Sequence, residues 1–298
     1  FKTNTRVYVN LADPELAEAI SQRNVDGVGL LRAEFIVAHI GEHPRYMMDQ
    51  GRGQEWSERL AEGIESFARA FAPRPVVYRL TDFKTNEYRN LKGGEAYESQ
   101  EENPMIGYRG ASRYVREPDL FHLEAQALVN VRQRYPNICV MVPFVRTPPE
   151  MARVKEMLEE EGLRREDGLK LWMMVEVPSN VILLDQFLDA GIDGVSIGSN
   201  DLTQLTLGLD RDNSKFIETF DERDPAVMWS LERVVRRCAE RDVTCSICGQ
   251  APSFYPELTQ QLVEWGITSL SVSPDMIDTT REYIAAGEKK LGKLPPQD

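Results

Sequence analysis

Two acidic side chains that could bind a metal ion each follow a short apolar stretch of the chain. Apolar residues run from Leu171 to Val177, with the carboxylate of Glu176 near their end, and a second stretch from Gly194 leads to Asp201. Such runs are typical of strands buried on both faces of a parallel sheet. A buried carboxylate without a partner is costly, so each of these two needs a counter-charge.

Carboxylate oxygens at the ends of two neighbouring strands are suited to a hard divalent cation, Mg²⁺ or Mn²⁺. The alternative is that Glu176 and Asp201 are separate helix N-caps, a position where short acidic side chains are common. The matching strand contexts favour the metal. The sequence therefore predicts one Mg²⁺ site, with Mn²⁺ as a second possibility, held by Glu176 and Asp201.

A Cys-x-x-Cys pair, Cys245 and Cys248, is the other group of reactive side chains. A zinc site would need two more ligands, and the chain has only three histidines. Side chains alternate along a strand, so two cysteines three positions apart face opposite sides. We expect Cys248, which precedes Gly249 at a strand end, to point into a site as an acid or a nucleophile. Cys245 is expected to be a core residue, as are Cys139 and Cys238.

Eight strand-like stretches alternate with helical periodicity, which predicts a (β/α)₈ barrel of the TIM type in a single domain, residues 1–298. The usual size of such a barrel is about 250 residues. A doubly wound open sheet is the alternative, but even repeats without a Gly-rich nucleotide turn favour closure. The predicted strands are Val7–Leu11, Gly27–Arg32, Val76–Asp82, Ile138–Val145, Leu171–Val177, Gly194–Ser199, Val243–Cys248 and Ser269–Ser273. Predicted helices span Pro14–Arg23, Ser57–Phe71, Leu120–Tyr135, Pro149–Glu161, Val181–Ala190, Ala226–Arg241 and Pro256–Gly266, with a last helix to Leu291.

The barrel prediction gives meaning to the charged residues at strand ends, because barrel enzymes place their chemistry at the C-terminal ends of the strands. Arginine presents a rigid fork that matches a carboxylate or a phosphate. We expect Arg32 and Arg79 to converge on a small polyanion, whereas Arg109 is weaker on spacing alone and could form a surface salt bridge. Residues 83–113 lack a clear period and are long for a loop, which indicates a functional segment. The chemistry-bearing strand ends are Arg32, Arg79, Asp82, Glu176, Asn200, Asp201 and Cys248.

Composition limits the possible functions of the 298-residue chain. Its net charge of −13 argues against a general nucleic-acid or anionic-membrane binder, although a locally positive pocket remains compatible with it. No apolar run approaches the roughly 18 residues of a membrane span, and no signal peptide is recognisable. Four cysteines are too few for a disulfide framework, so we expect reduced thiols and a cytoplasmic location. The start at Phe1 suggests part of a longer protein.

Eight stretches of the chain carry motifs of one known family: Gly29–Phe35, His43–Arg45, Arg79–Tyr88, Glu102–Gly110, Met174–Pro178, Ile197–Leu205, Cys248–Ser253 and Ser271–Pro274. Together they resemble the C-terminal phosphoenolpyruvate/pyruvate-binding barrel of the phosphoenolpyruvate synthase (pyruvate, water dikinase) family. Pyruvate, phosphate dikinase and enzyme I of the sugar phosphotransferase system share this barrel superfamily. They differ from this sequence in the stretches that begin at Thr81 and at Cys248.

The resemblance implies a role for each matching residue. Glu176 and Asp201 correspond to the Mg²⁺ ligands, and Cys248 to the residue that moves the proton at the methyl or methylene carbon. Substrate phosphoryl and enolate oxygens would be bound by arginines, and the carboxylate and phosphate by the segment after the sixth strand. The implied substrate-binding residues are Arg32, Arg79, Asp82, Arg109, Glu176, Gly198, Ser199, Asn200 and Asp201, with Arg32 and Arg79 also counted as catalytic.

The same resemblance implies a reaction of a longer enzyme, in which ATP, pyruvate and water give AMP, phosphoenolpyruvate and phosphate. ATP would be used by an ATP-grasp domain, and a phosphohistidine on a swivelling domain would carry the phosphoryl group. We recognise no motif for either in these residues, so the chain is expected to be one domain of the parent and to form a homodimer or a higher oligomer. Two other classes stay open: a non-catalytic phosphoenolpyruvate-binding or assembly module, and a metal-dependent lyase or aldolase.

Overall fold

The computed structural model describes all 298 residues, Phe1–Asp298, and its centre is one sheet of eight parallel strands. Strand order is β7-β6-β5-β4-β3-β2-β1-β8, so each strand lies beside its neighbour in the sequence and β1 pairs with β8. The (β/α)₈ barrel predicted from the sequence is confirmed. The strands are β1 Arg6–Leu11, β2 Gly27–Arg32, β3 Val76–Arg79, β4 Ile138–Val142, β5 Leu171–Val175, β6 Gly194–Ile197, β7 Thr244–Ile247 and β8 Ser269–Val272.

Six strands, β3 to β8, end one to three residues earlier than the apolar pattern predicts, and three of them matter most for the rim. β3 ends at Arg79, β4 at Val142 and β5 at Val175. Pro143 follows β4 directly, and proline has no N–H group to continue a ladder. The freed residues form loops at the C-terminal rim, and this is why Asp82 and Glu176 can turn away from the strand direction.

Fifteen α-helices surround the sheet, and none of them is long and apolar enough to cross a membrane. The helices are α1 Ala17–Ser21, α2 Glu34–Ile40, α3 Pro44–Asp49, α4 Gly53–Phe71, α5 Thr85–Arg89, α6 Ala111–Arg116, α7 Pro118–Arg132, α8 Pro148–Glu160, α9 Pro178–Ile182, α10 Leu184–Asp189, α11 Ser199–Leu207, α12 Pro225–Glu240, α13 Ala251–Phe254, α14 Pro256–Trp265 and α15 Ile277–Lys290. Short 3₁₀ turns cover Pro14–Leu16, Gly94–Ala96, Pro104–Ile106, Arg165–Asp167, Ser214–Phe216 and Pro274–Met276.

Helix α11 is the longest of the helices that the sequence pattern misses; α2, α3, α5, α6 and α13 are also absent from the prediction. Its buried residues include Ser199, Thr203 and Gln204, so the inward face carries too few apolar side chains to produce a helical period. The predicted helix Val181–Ala190 is in fact two short helices, α9 and α10. Segment 83–113 contains α5, two 3₁₀ turns and the start of α6, and elements this short leave no periodic signal.

Alternating side chains of each strand divide the interior into two cores. In β5, Leu171, Met173 and Val175 pack outward in a cluster of 71 buried residues between sheet and helices. Trp172 and Met174 point into the barrel, where a cluster of 8 buried residues lies. Burying side chains of this size contributes roughly 1.5–3 kcal/mol each relative to exposure. The wall is therefore rigid enough to hold side chains at its rim in place.

The barrel is closed where β7 meets β8 by hydrogen bonds between Cys245 and Thr268. These two strands form no backbone ladder with each other. Instead, Cys245 N–H donates to Thr268 Oγ1 at 2.7 Å, and the same hydroxyl donates to Cys245 O at 2.8 Å. Thr268 N–H also donates to Cys245 O at 3.0 Å. We call this line between β7 and β8 the seam; it is the one junction between neighbouring strands without a ladder.

Candidate functional site

A cleft of about 590 Å³ opens at the C-terminal ends of the strands. All ten site residues predicted from the sequence line it, although they come from six different strand ends and loops. It also contains residues of the 83–113 segment, Glu34 of α2 and Arg211 beyond α11. The predicted residues in its wall are Arg32, Arg79, Asp82, Arg109, Glu176, Gly198, Ser199, Asn200, Asp201 and Cys248.

Three carboxylates converge at the centre of this cleft. Asp82, Glu176 and Asp201 each bring an oxygen within 4.8 Å of the others. Asp82 and Glu176 are buried, whereas the side chain of Asp201 is 24% exposed. This oxygen-only set matches the ligand preference of Mg²⁺ or Mn²⁺. Sequence reasoning paired Glu176 with Asp201, and the geometry adds Asp82 as a third candidate ligand.

The N-cap alternative for the two acidic residues is wrong. Asp201 lies inside the first turn of α11, and the N-cap of that helix is Gly198. Glu176 precedes α9, whose N-cap is Val177. Glu176 accepts a hydrogen bond from Phe144 N–H at 2.7 Å, outside both helices.

Arg109 supplies the counter-charge for two of the three carboxylates. Its Nε donates to Asp82 Oδ1 at 3.0 Å, its Nη2 to Asp82 Oδ2 at 2.6 Å, and Nη2 also to Asp201 Oδ2 at 3.1 Å. The guanidinium is buried and lies 4.0 Å from the centre of the Phe144 ring. The surface salt bridge that spacing left open for Arg109 is therefore wrong, and its position is as central as those of Arg32 and Arg79.

Phe144 is a site residue that the sequence does not reveal. It has a left-handed backbone with φ of 48°, which is unusual for a bulky residue. That conformation aims its N–H at Glu176 while its ring covers Arg109. The sequence pattern predicts a strand over Ile138–Val145, and nothing in such a pattern marks a residue with a positive φ. Such strain is commonly concentrated at functional sites.

The other two predicted arginines differ in how they are held. Arg79 Nη2 donates to Glu34 Oε1 at 2.9 Å, and the same oxygen accepts from Asp82 N–H at 2.9 Å. Arg32 makes no ion pair with any residue of the chain. Arg32 is exposed to solvent at the cleft, although partial desolvation, followed by the charge of Arg79, lowers its pKa. Because no carboxylate of the chain pairs with it, Arg32 is available to form an ion pair with an anionic ligand.

The start of α11 faces the cleft, and its packing against β7 is close. The first turn of a helix has N–H groups without intrahelical partners, which favours binding of an anion. Ser199 donates its hydroxyl to the buried carboxylate of Glu222, behind the cleft. A Cβ at Gly249 would lie 1.7 Å from Ser199 Oγ, so only glycine fits after Cys248. With its amide nitrogen facing Glu222, Asn200 accepts from Arg211 Nη1 at 2.9 Å.

Burial determines the protonation of the two central titratable groups. Desolvation, followed by the charges of Asp201 and Asp82, raises the pKa of Glu176. Desolvation also raises the pKa of Cys248 to about 11, against the opposing effect of Arg32. At neutral pH the Cys248 thiol keeps its proton. Cys248 belongs to the core inside the barrel and Cys245 to the outer core, so the two face opposite sides as predicted.

A buried carboxylate behind the cleft fixes the loop that carries Asp82. Glu124 of α7 accepts from Thr81 N–H at 2.9 Å, from Thr81 Oγ1 at 3.0 Å and from Tyr78 OH at 2.7 Å. Tyr114 OH donates to the carbonyl of Thr81. Thr81 is held on three sides, directly before Asp82; we call Glu124 and Tyr114 the Thr81 clamp. Desolvation raises the pKa of Glu124 to about 7.

Comparison with known proteins gives a family for this cleft and barrel. The family model described as "PEP-utilising enzyme, PEP-binding domain" matches residues 2–289. A probable phosphoenolpyruvate synthase of Staphylothermus marinus is 50% identical over 297 residues, which cover 97% of this chain and 35% of that protein. Phosphoenolpyruvate synthase of Aeropyrum pernix is 50% identical over 298 residues, 97% of this chain and 36% of that protein. The chain thus spans about a third of the length of these curated relatives.

More distant proteins share the architecture. Phosphoenolpyruvate synthase of Pyrococcus furiosus is 43% identical over 290 residues, 97% of this chain and 35% of that protein. The crystal structure of a HpcH/Hpal aldolase/citrate lyase family protein from Burkholderia cenocepacia J2315 has a TM-score of 0.55 at 17% identity and covers 97% of this chain and 95% of that one. At that identity the likeness shows the barrel fold alone. The family match and the relatives at up to 50% identity show that the chain belongs to the PEP-binding domains of the PEP-utilising enzymes.

Proposed function

We propose that the cleft binds Mg²⁺ together with pyruvate or phosphoenolpyruvate and stabilises the enolate that links them. The observation that carries the proposal is the convergence of Asp82, Glu176 and Asp201 within 4.8 Å beside arginines of the same cleft. Oxygen-rich clusters suit Mg²⁺, and arginines suit the carboxylate and phosphoryl groups of the substrate. The names of the longer relatives point to the same substrate class.

Each part of the cleft has a role in this proposal. Glu176 and Asp201 hold the metal, with Asp82 as a third candidate, and a bound Mg²⁺ supplies positive charge where the enolate oxygen develops negative charge. Arg32 and Arg79 bind the phosphoryl and enolate oxygens. Arg109 orients two of the carboxylates as well as facing the ligand. The first turn of α11, from Gly198 to Asn200, receives the substrate carboxylate and phosphate.

Cys248 transfers the proton at the reacting carbon. Its raised pKa keeps the thiol protonated, as required of an acid that protonates the methylene carbon of the enolate. In the opposite direction, the thiolate would remove a proton from the methyl group of pyruvate. Cys248 belongs to the cluster inside the barrel and lines the cleft, so its thiol is within the site.

The parent reaction is that of a longer protein. We propose that residues 1–298 form its phosphoenolpyruvate-binding domain, and that a phosphohistidine on another domain of the same parent exchanges its phosphoryl group with the enolate oxygen. ATP would be used only by a further domain, in the reaction that converts ATP, pyruvate and water to AMP, phosphoenolpyruvate and phosphate. The support is that relatives named phosphoenolpyruvate synthase are about three times as long as this chain.

Calorimetry with Mg²⁺ and oxalate, a mimic of the pyruvate enolate, tests the binding proposal. We expect the unaltered chain to bind oxalate only with Mg²⁺, and Glu176→Ala to lose at least about 100-fold in affinity because a metal ligand is removed. Glu166→Ala is the matched control, since Glu166 precedes β5 at the opposite end of the barrel. Unchanged oxalate affinity in Glu176→Ala would overturn the metal assignment.

Exchange of the pyruvate methyl protons with solvent distinguishes the proposed enzyme from a non-catalytic binding module and from a lyase or aldolase. The proposed enzyme should exchange the methyl protons of pyruvate with solvent, and Cys248→Ala should stop that exchange. Ligand binding without measurable exchange would favour a non-catalytic binding module. Full activity of Cys248→Ala on another oxo acid would favour a lyase or an aldolase, which does not need Cys248 to carry the proton.

A further inference from the structure

The inside of the barrel has an apolar half and a hydroxyl-bearing half. Side chains that point inward from β2 to β5 are large and apolar, such as Leu30, Met141 and Trp172. The inward positions of β6, β7 and β8 are occupied by small residues, and all of them except Gly194 bear a hydroxyl group. These inward-facing residues are Ser196 on β6, Thr244 and Ser246 on β7, and Ser269 and Ser271 on β8.

Three of these hydroxyls are buried and make no hydrogen bond of good geometry within the protein, although that of Ser196 lies near enough to the Cys248 thiol to lower its pKa. Ser196 and Ser246 have 0% exposure and Ser269 has 2%. Buried polar groups in proteins are almost always hydrogen-bonded, to ordered water where no protein group is available. Ser271 differs, because its hydroxyl donates to Asn10 Oδ1 at 2.6 Å. The three unpartnered serines therefore mark positions where water has hydrogen-bonding partners inside the barrel.

These serines lie in one line that connects the two ends of the barrel. Ser196 and Ser246 are register partners on adjacent strands. Ser246 lies two residues before Cys248 on the same face of β7, so the column reaches the thiol at the top. Thr244 and Ser269 line a second cavity of about 300 Å³ at the N-terminal end of the barrel. The hydroxyl column thus runs from Cys248 to a cavity on the side opposite the cleft.

The seam runs beside this column. β7 and β8 have no ladder between them, and only Thr268 bonds the two at the level of Cys245. Backbone N–H and C=O groups above that level are therefore not consumed by strand pairing across the seam. They provide further hydrogen-bonding partners for water beside Ser246 on β7 and Ser269 on β8.

We propose that bound water and the hydroxyls of Ser196, Ser246 and Ser269 form a proton relay between Cys248 and the cavity at the N-terminal end of the barrel. This inference rests on the proposed role of Cys248. When the Cys248 S–H bond breaks and a C–H bond forms at the enolate carbon, the thiolate takes a proton from the adjacent hydroxyl or water. Each member then takes one from the next, so one proton enters from the opposite cavity and no electrons are transferred. Cys248 is reprotonated without water crossing the reactive enolate.

The relay is tested by Ser246→Val, which removes the central hydroxyl and fills its space. We expect exchange of the pyruvate methyl protons with D₂O, followed by NMR, to slow about tenfold or more while Mg²⁺–oxalate affinity stays unchanged. Cys139→Ala is the matched control, because Cys139 lies on the apolar half of the same interior and should leave exchange unaltered. Ser246→Ala, which adds no bulk, gives the same readout if the valine variant does not fold.

Equal exchange rates in the unaltered chain and in both Ser246 variants would overturn the relay. A crystal structure gives an independent result: ordered water within hydrogen-bond distance of all three serine hydroxyls is expected, and a dry interior overturns the proposal. Loss of the proposed function is seen separately, as the absence of Mg²⁺–oxalate binding by the unaltered chain. That result would remove the catalytic role of the column together with the role of Cys248.

Discussion

Cys245 in β7 and Cys248 directly after β7 occupy different chemical environments because side chains alternate along this stretch of the chain. Cys245 packs outward near Cys238 of α12, and Cys248 faces the cleft with its pKa raised to about 11 by burial. Alternation and position at the end of β7 are both visible in the sequence, so this distinction could be predicted. The size of the pKa shift could not, because it depends on the walls of a cleft that several strands build together.

At the residue scale, Cys248→Ser in the full-length parent should lower phosphoenolpyruvate formation by about 10²-fold or more, because a hydroxyl is a much weaker acid than a thiol. Phosphorylation of the remote histidine by ATP should remain. Cys245→Ser, the matched control, should cost some stability and little turnover. Steady-state assays of product and of phosphohistidine measure both steps. The reverse ranking of the two variants would contradict the assignment.

Phe144 gives a second prediction at this scale. Phe144→Leu keeps bulk and the backbone N–H to Glu176 but removes the ring over Arg109. A cation–π contact of this kind is worth about 1 kcal/mol, so Mg²⁺–oxalate affinity should fall about fivefold as Arg109 loosens. Phe254→Leu, at a side chain that is 60% exposed, is the control. Calorimetry that gives the same affinity for Phe144→Leu as for the unaltered chain would exclude a role for the ring.

Among the elements, the strands follow the apolar pattern closely, whereas the rim does not. Strands bury continuous apolar runs, so their positions can be predicted from the sequence. α11 and the loop at Phe144 lie at the rim, where inward residues are polar and serve the site. Local periodicity carries no information there. Asp82 shows the same limit: its position depends on the Thr81 clamp from α6 and α7, which lies far from it in the sequence.

The Thr81 clamp predicts a pH dependence of stability. The pKa of Glu124 is about 7 in the folded protein and 4.5 ordinarily, so the folded state binds more protons between those values. Stability should therefore fall as pH rises through that window, by up to ~3 kcal/mol. Glu124→Gln can keep the hydrogen bonds to Thr81. It should remove this contribution to the dependence of the free energy of unfolding on pH. Urea unfolding at about pH 5 and about pH 8 measures it.

The control is Glu166→Gln, which removes an exposed carboxylate and should leave the pH dependence of the free energy of unfolding unchanged. If Glu124→Gln shows the same pH slope as the unaltered chain, Glu124 does not titrate as described. Glu124→Ala goes further, since it releases Thr81 and should weaken Mg²⁺–oxalate binding through Asp82. That loss of affinity is the readout that separates positioning from simple packing.

Without a bound metal, the charge of the whole molecule and the charge of the cleft are both negative. The chain carries −13, and its cleft is lined by seven acidic and five basic side chains. A polyanion approaches against long-range repulsion, which salt screens with a Debye length of about 10 Å at 0.1 M. With Mg²⁺ present, the association rate of phosphoenolpyruvate should rise as KCl is added. Stopped-flow measurements that show a fall instead would mean that the cleft arginines dominate the field.

The chain spans about a third of the length of its curated relatives, and we therefore expect it to lack the ATP-dependent part of their reaction. The isolated 298 residues should form no AMP from ATP and pyruvate, because no ATP-binding loop and no phosphohistidine motif is recognisable in their sequence. The same preparation should still bind Mg²⁺ and oxalate, which serves as the control for folding. AMP formation by the purified chain, free of contaminating enzyme, would refute this expectation.

Arg109 finally bears on the order in which the protein is assembled. Three carboxylates within 4.8 Å would repel one another in a newly folded chain. Because Arg109 already pairs with Asp82 and Asp201, the barrel carries its own internal cation and does not have to wait for a metal to complete folding. Removal of the metal by a chelator should therefore lower Tm only as far as the lost free energy of metal binding requires. Unfolding should remain cooperative. Metal supply would then set how much of the protein is active, and not how much of it is folded.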